Sequence, residues 1–246
     1  MAVEQIAVTA AEGTAPAWAY TPEGKGPWPG VILLMDGPGM RPAVHHMAQR
    51  LSGHGYVVLL PDLFYRSGPY DPVDPKVVFT DKTLREAHRE RFMAKAGPKA
   101  VMADFPAFLA VLDARGDVAP GGYGVTGYCM GGRLALIAAG TYPEQIAAVA
   151  SFHGGGLAND TPTSPHLLAG RIRAKIYVAG AIEDANFDDA QKARLIAAME
   201  QAGADFTVET YPARHGWVPE DMPVHNPEQA ERHWQTLIPF FDGVLK

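Results

Sequence analysis

The chain contains one cysteine, Cys129, in the string Gly127-Tyr128-Cys129-Met130-Gly131-Gly132. A β-rich run, Tyr123–Gly127, precedes it, and an apolar helical run, Met130–Ala139, follows. Glycines two before and two after the central residue suit a strained strand-to-helix turn, because side chains there would clash. Such a turn lifts the thiol above the sheet at a helix N-terminus, whose partial positive charge favours the thiolate. A thiolate held this way is a nucleophile for acyl transfer. The competing reading is an ordinary buried cysteine. A redox switch has no resolving partner, since a lone cysteine can form no internal disulfide.

A nucleophile of this kind needs a base and an acid further along the chain. Nine histidines offer the base. His45 and His46 fall within a helical pattern, His88 in a charged segment, and His225 and His233 around the last helix. His215 instead sits in the loop Pro212–Val218, between the last strand and the last helix, beside Gly216. His153 also follows a strand, in Phe152-His153-Gly154-Gly155, but precedes any plausible acid, so it reads as pocket-lining or structural. The acid should follow the strand Ile176–Ala179, where Glu183 and Asp184 compete. Oxyanion donors are expected from the backbone N–H of Met130 and of Gly37, in Met35-Asp36-Gly37-Pro38-Gly39. Asp36 reads either as a carboxylate at the site or as a turn aspartate. The string Gly122–Gly127 spells G-x-G-x-x-G, but it forms a strand rather than opening a helix, which argues against a nicotinamide site.

The elements that must position these groups alternate. Gln5–Thr9 and Ala15–Thr21 read as half-buried strands, and Val31–Met35 and Tyr56–Leu60 as buried ones. Helical spacing covers Arg41–Ser52, Lys99–Ala114, Ala190–Ala202 and Glu228–Val244, and further strands fall at Ile146–Phe152 and Phe206–Tyr211. This order predicts an α/β fold: a mostly parallel, doubly wound sheet of about eight strands with helices on both faces, in a single domain over residues 1–246. Residues 65–98 are irregular, proline-rich and then charge-dense, with an exposed helix at Thr83–Ala94, as in segments that cover a site.

Composition bounds the partners. A net charge of −6 without a basic block gives no support for nucleic-acid or anionic-membrane binding. No apolar run is long enough to span a bilayer and the N-terminus lacks a secretory pattern, so the expectation is a cytoplasmic protein, monomer or homodimer, without metal or cofactor.

Together these residues resemble the dienelactone hydrolase (carboxymethylenebutenolidase) family of the α/β-hydrolase superfamily. The likeness is carried by Gly127–Gly132, Gly55–Leu63, Gly180–Asp184 and His215-Gly216-Trp217, and a cysteine in the elbow is its most specific part. It implies an α/β-hydrolase fold and a Cys129–His215–Asp184 triad, with Asp184 rather than Glu183 as the acid. It further implies no metal and hydrolysis of a lactone bearing a carboxylate; the expectation drawn from the residues is cleavage of a small-molecule ester or lactone through a thioacyl intermediate. Trp217 would belong to the pocket. Two positions depart from the pattern. Asp36 replaces a glutamate that interacts with the cysteine, and Pro219 replaces an arginine that binds the substrate carboxylate. Arg85 and Arg89, four apart on one helix face, are the remaining cationic candidates; flanking glutamates suggest a solvated helix, so at most one arginine is expected to reach the pocket. The substrate would then be a neutral or weakly anionic small ester. Other readings are a broad small-acyl carboxylesterase or thioesterase, and a non-catalytic ligand-binding or thiol-sensing homologue.

Overall fold

Five of the eight strands are continuous apolar or small-residue runs buried along nearly their whole length, as strands covered on both faces must be. The computed structural model describes residues 1–246. Its strands are β1 (Ala2–Ala10), β2 (Gly13–Thr21), β3 (Gly30–Leu34), β4 (Val57–Pro61), β5 (Tyr123–Tyr128), β6 (Ile146–Phe152), β7 (Lys175–Ala181) and β8 (Phe206–Tyr211). They form one sheet in the order β1-β2-β4-β3-β5-β6-β7-β8. The first two are antiparallel, and every pair from β4 to β8 is parallel. The predicted α/β architecture of about eight mostly parallel strands is therefore present.

The helices are α1 (Pro42–Gly53), α2 (Pro75–Val78), α3 (Lys82–Arg91), α4 (Pro98–Asp113), α5 (Met130–Thr141), α6 (Asp189–Ala202) and α7 (Pro227–Leu245). From β3 the chain crosses through α1 to β4 on one side, while from β5 it crosses through α5 to β6 on the other. Right-handed crossovers in opposite directions place α1 and α5 on opposite faces. The direction reverses between β3 and β5, which pair from Val31–Gly124 to Leu34–Gly127. Ligands of open α/β sheets bind in the crevice beyond the strand ends at such a reversal. Here the loops after β3 and β5 carry Gly37 and Cys129.

The expected elements lie within three residues of their predicted limits. The segment 65–98 is more structured than its composition suggests. It comprises a 3₁₀ turn (Tyr65–Ser67), α2, α3 and a second 3₁₀ turn (Met93–Lys95), so the helix expected at Thr83–Ala94 ends sooner, at Arg91. Buried polar groups tie its start to α4 and to the loop after β4. Asp104 on α4, with no exposed surface, receives both Arg66 Nη atoms at 2.7 and 2.9 Å and the Tyr65 hydroxyl at 2.8 Å. Tyr70 donates to Asp62 at 2.9 Å. A further 3₁₀ run at Pro165–Arg171 has no counterpart in the sequence reading.

Candidate active site

The turn after β5 has the geometry its glycines foreshadow. Cys129 sits at φ 54°, ψ −113°, a region that L-residues enter only when the surroundings force them. A Cβ on Gly127 would overlap the Gly131 carbonyl, and one on Gly131 would overlap the Leu34 and Met35 carbonyls. Both positions therefore require glycine. The Cys129 amide donates to Phe152 O at 3.0 Å, which fixes the turn against β6. The cysteine is half-buried and forms the N-cap of α5, so its sulfur lies near the positive end of the helix dipole.

His215 lies in the loop between β8 and α7, where Gly216 takes φ 97°. Its Nδ1 pairs with Asp184 Oδ2 at 2.7 Å. The other Asp184 oxygen accepts from the Asn186 backbone N–H at 2.9 Å and from its side-chain amide at 3.2 Å. The Asp184 side chain is 1% exposed, and burial alone would raise its pKa. The His215 hydrogen bond and charge, with help from Asn186, outweigh burial and hold it below the ordinary value. Burial likewise works against charge on His215. Its interactions with Cys129 and then Asp184 overcome burial and raise the imidazole to about 10. Glu183 is exposed and pairs with Arg214 at 3.2 Å, so the two neighbouring carboxylates are sorted by burial and partner.

Behind His215 lies an aromatic shell. Trp217, with no exposed surface, stacks on Tyr211 at 5.1 Å, and the His153 ring meets Trp217 at 4.8 Å and His215 at 5.3 Å. Burial, reinforced by the charges of His215 and His233, holds the His153 pKa well below the usual value, so this ring is neutral. His153 and Trp217 are both buried behind the cavity wall rather than lining it. The non-glycine residues at positive φ are Cys129, His153 and Glu183. They lie at or just beyond the carboxyl ends of the successive strands β5, β6 and β7.

The loop after β3 is held by charge. Arg41 grips both Asp36 oxygens, at 2.5 and 2.9 Å, and both Asp221 oxygens, at 2.6 and 3.0 Å. Burial disfavours the Arg41 charge, but the two carboxylates raise its pKa above the usual value. Asp36 is thus held in a bidentate ion pair. One contact escaped sequence reasoning. His88 on α3, which the sequence places in a charged segment, is 5% exposed and its Nε2 bonds Gly37 O at 2.8 Å. The ring is wedged among Phe64, Phe79 and Phe92. His88 is the one buried residue of α3, so no apolar stripe could have flagged it.

A cavity of about 1020 Å³ opens over these strand ends and brings together Cys129, Met130, His215, Asp36, Arg85 and Arg89. The expectation that at most one arginine reaches it is corrected. Both line it, because the exposed face of α3 borders the cavity, and Arg133 of α5 joins them. Along α3 only Lys82 and Glu86 pair, at 3.9 Å, so flanking glutamates do not hold the arginines away. No group of three His, Cys, Asp or Glu side chains converges as a metal site would, and no helix is long and apolar enough to cross a membrane.

The model of the dienelactone hydrolase family matches residues 15–245. A protein of Escherichia coli (strain K12) with a provisional carboxymethylenebutenolidase name is 28% identical over 234 residues, spanning 92% of this chain and 81% of its own. A similarly named protein of Methylorubrum extorquens is 26% identical over 242 residues, spanning 96% and 79%. Among solved structures, a provisionally named dienelactone hydrolase from Klebsiella pneumoniae superposes with a TM-score of 0.84 at 21% identity, covering 98% of each chain.

Proposed function

The chain belongs to the dienelactone hydrolase family and is a hydrolase of ester or lactone bonds in small molecules, and from that premise we propose that Cys129, His215 and Asp184 perform the hydrolysis as nucleophile, base and acid. The observation that carries this reading is the Asp184–His215 pair at 2.7 Å, with His215 and a cysteine on a strained elbow lining the same cavity.

The Cys129 thiolate adds to the substrate carbonyl carbon. The negative oxygen that forms is held by the backbone N–H groups of Gly37 and Met130, a stabilisation worth about 2.7–4 kcal/mol per donor in comparable sites. As the intermediate collapses, the carbon–oxygen bond to the leaving group breaks and the His215 imidazolium gives its proton to the departing oxygen. A thioester on Cys129 remains. Neutral His215 then takes a proton from water while the water oxygen adds to the thioester carbon. Cleavage of the carbon–sulfur bond releases the carboxylic acid and restores the thiolate–imidazolium pair. Asp184 holds the ring orientation and stabilises its charge throughout. A thiolate leaves a tetrahedral intermediate more readily than an amine does, so activated esters and lactones are favoured over amides.

The test is pre-steady-state hydrolysis of p-nitrophenyl acetate. A burst of one nitrophenolate per chain, abolished with turnover in a folded Cys129→Ala variant, is the expected result. Full activity in that variant would remove Cys129 from the mechanism.

A further inference from the structure

A second cavity of about 520 Å³ adjoins the one over Cys129 and shares Arg89, Met93, Met130 and Arg133 with it. Past this shared neck its walls are Ala94, Ala96, Pro98 and Leu134, with Glu86 and Glu90 of α3 also lining it. It runs between the second 3₁₀ turn of the covering segment, the start of α4 and the first turn of α5. Met130, Arg133 and Leu134 are spaced i, i+3 and i+4 and so share one face of α5. The two methionines at the neck are unbranched and flexible, which lets a passage widen without a backbone shift. The arginines at the neck can lay aliphatic stems along an apolar chain while their heads stay in water.

The orientation of the reaction decides what belongs there. His215 delivers the proton to the leaving oxygen, so the leaving group must lie on the His215 side of the larger cavity, where Gly216, Met222 and Val224 form the wall. The acyl portion then points the other way from the thioester carbon, toward Met130 and Met93. Resting on the Cys129 mechanism proposed above, we infer that this second cavity is the acyl-chain site, and that the enzyme takes esters of unbranched, medium-length acyl groups in preference to acetyl esters.

Chain-length profiles test this. For wild-type protein, kcat/KM on p-nitrophenyl esters should climb from acetyl to octanoyl, by up to roughly fourfold for each methylene that enters the groove. Ala94→Trp, at an exposed wall residue, should fill the groove, cutting kcat/KM for the octanoyl ester at least about tenfold while acetyl ester turnover stays within about twofold. Retained acetyl turnover also reports that the variant folds. Glu90→Trp repeats the test from the α3 wall. A flat or falling wild-type profile beyond acetyl, or a profile unmoved by both tryptophans, overturns the inference while Cys129-dependent acetyl hydrolysis leaves the triad standing. Loss of Cys129-dependent turnover with every ester would overturn both.

Discussion

His88 lies 51 residues from Gly37 in sequence, yet one hydrogen bond from its ring anchors the residue whose N–H is assigned to the oxyanion. Replacing His88 with Phe keeps an aromatic ring among Phe64, Phe79 and Phe92 but removes the donor. The Gly37 carbonyl is then left buried without its partner, which costs about 1–3 kcal/mol. For a chain of this length that lowers the melting temperature by roughly 2–12 °C. The catalytic effect should be larger than the stability loss suggests. Deleting one oxyanion donor costs about 10²–10³ in kcat; loosening rather than deleting it should cost about 10–100-fold, with KM nearly unchanged. Steady-state kinetics on p-nitrophenyl acetate, run beside urea unfolding, separates the two effects. His88→Gln, whose amide can donate to the same carbonyl, should recover much of kcat. If His88→Phe unfolds more easily but keeps its kcat, the histidine is only a packing residue and the reasoning fails.

Further predictions concern the His215 pair. Asp184→Asn should lower kcat by orders of magnitude through loss of the ring tautomer, whereas Glu183→Gln should cost little; reversed penalties in the same ester assay would show that the wrong carboxylate carries the role. With its pKa raised to about 10, His215 contributes stability that is fully present below its unfolded value near 6.5 and is lost as pH rises through about 10. Urea midpoints from pH 6 to 10.5 should therefore converge between wild type and His215→Asn at the alkaline end; a constant gap would contradict the thiolate–imidazolium pair.

The groups most legible in the sequence were those whose role is written into neighbouring residues. Gly127 and Gly131 announce the elbow because only glycine fits against the Gly131, Leu34 and Met35 carbonyls. The buried strands are legible because apolar runs stop at glycine and proline, as Val31–Met35 does between Pro29-Gly30 and Asp36-Gly37. What stayed hidden depends on partners far along the chain. Arg41 meets Asp221 across 180 residues and Asp104 meets Arg66 across 38, and no periodicity encodes such pairings. Helix α3 misled for a related reason. Its charge pattern describes an exposed face, and it is exposed, but that face borders the cavity, so Arg85 and Arg89 reach a site from a solvated helix.

The Arg41 bridge sets how this hydrolase should respond to its medium. Arg41 joins the loop that carries Gly37 to the loop that carries His215, with its own side chain 1% exposed and that of Asp36 2% exposed. Dissolved ions weaken charge pairs they can approach, and screening reaches buried pairs far less. Surface pairs such as Arg173–Glu144 and Arg50–Glu231, with side chains roughly half exposed, will lose strength as salt is added. The Arg41–Asp36 half of the bridge is instead shielded by the protein around it, whereas the Asp221 side chain is 31% exposed, so added salt should loosen the link to the His215 loop before it reaches the loop after β3.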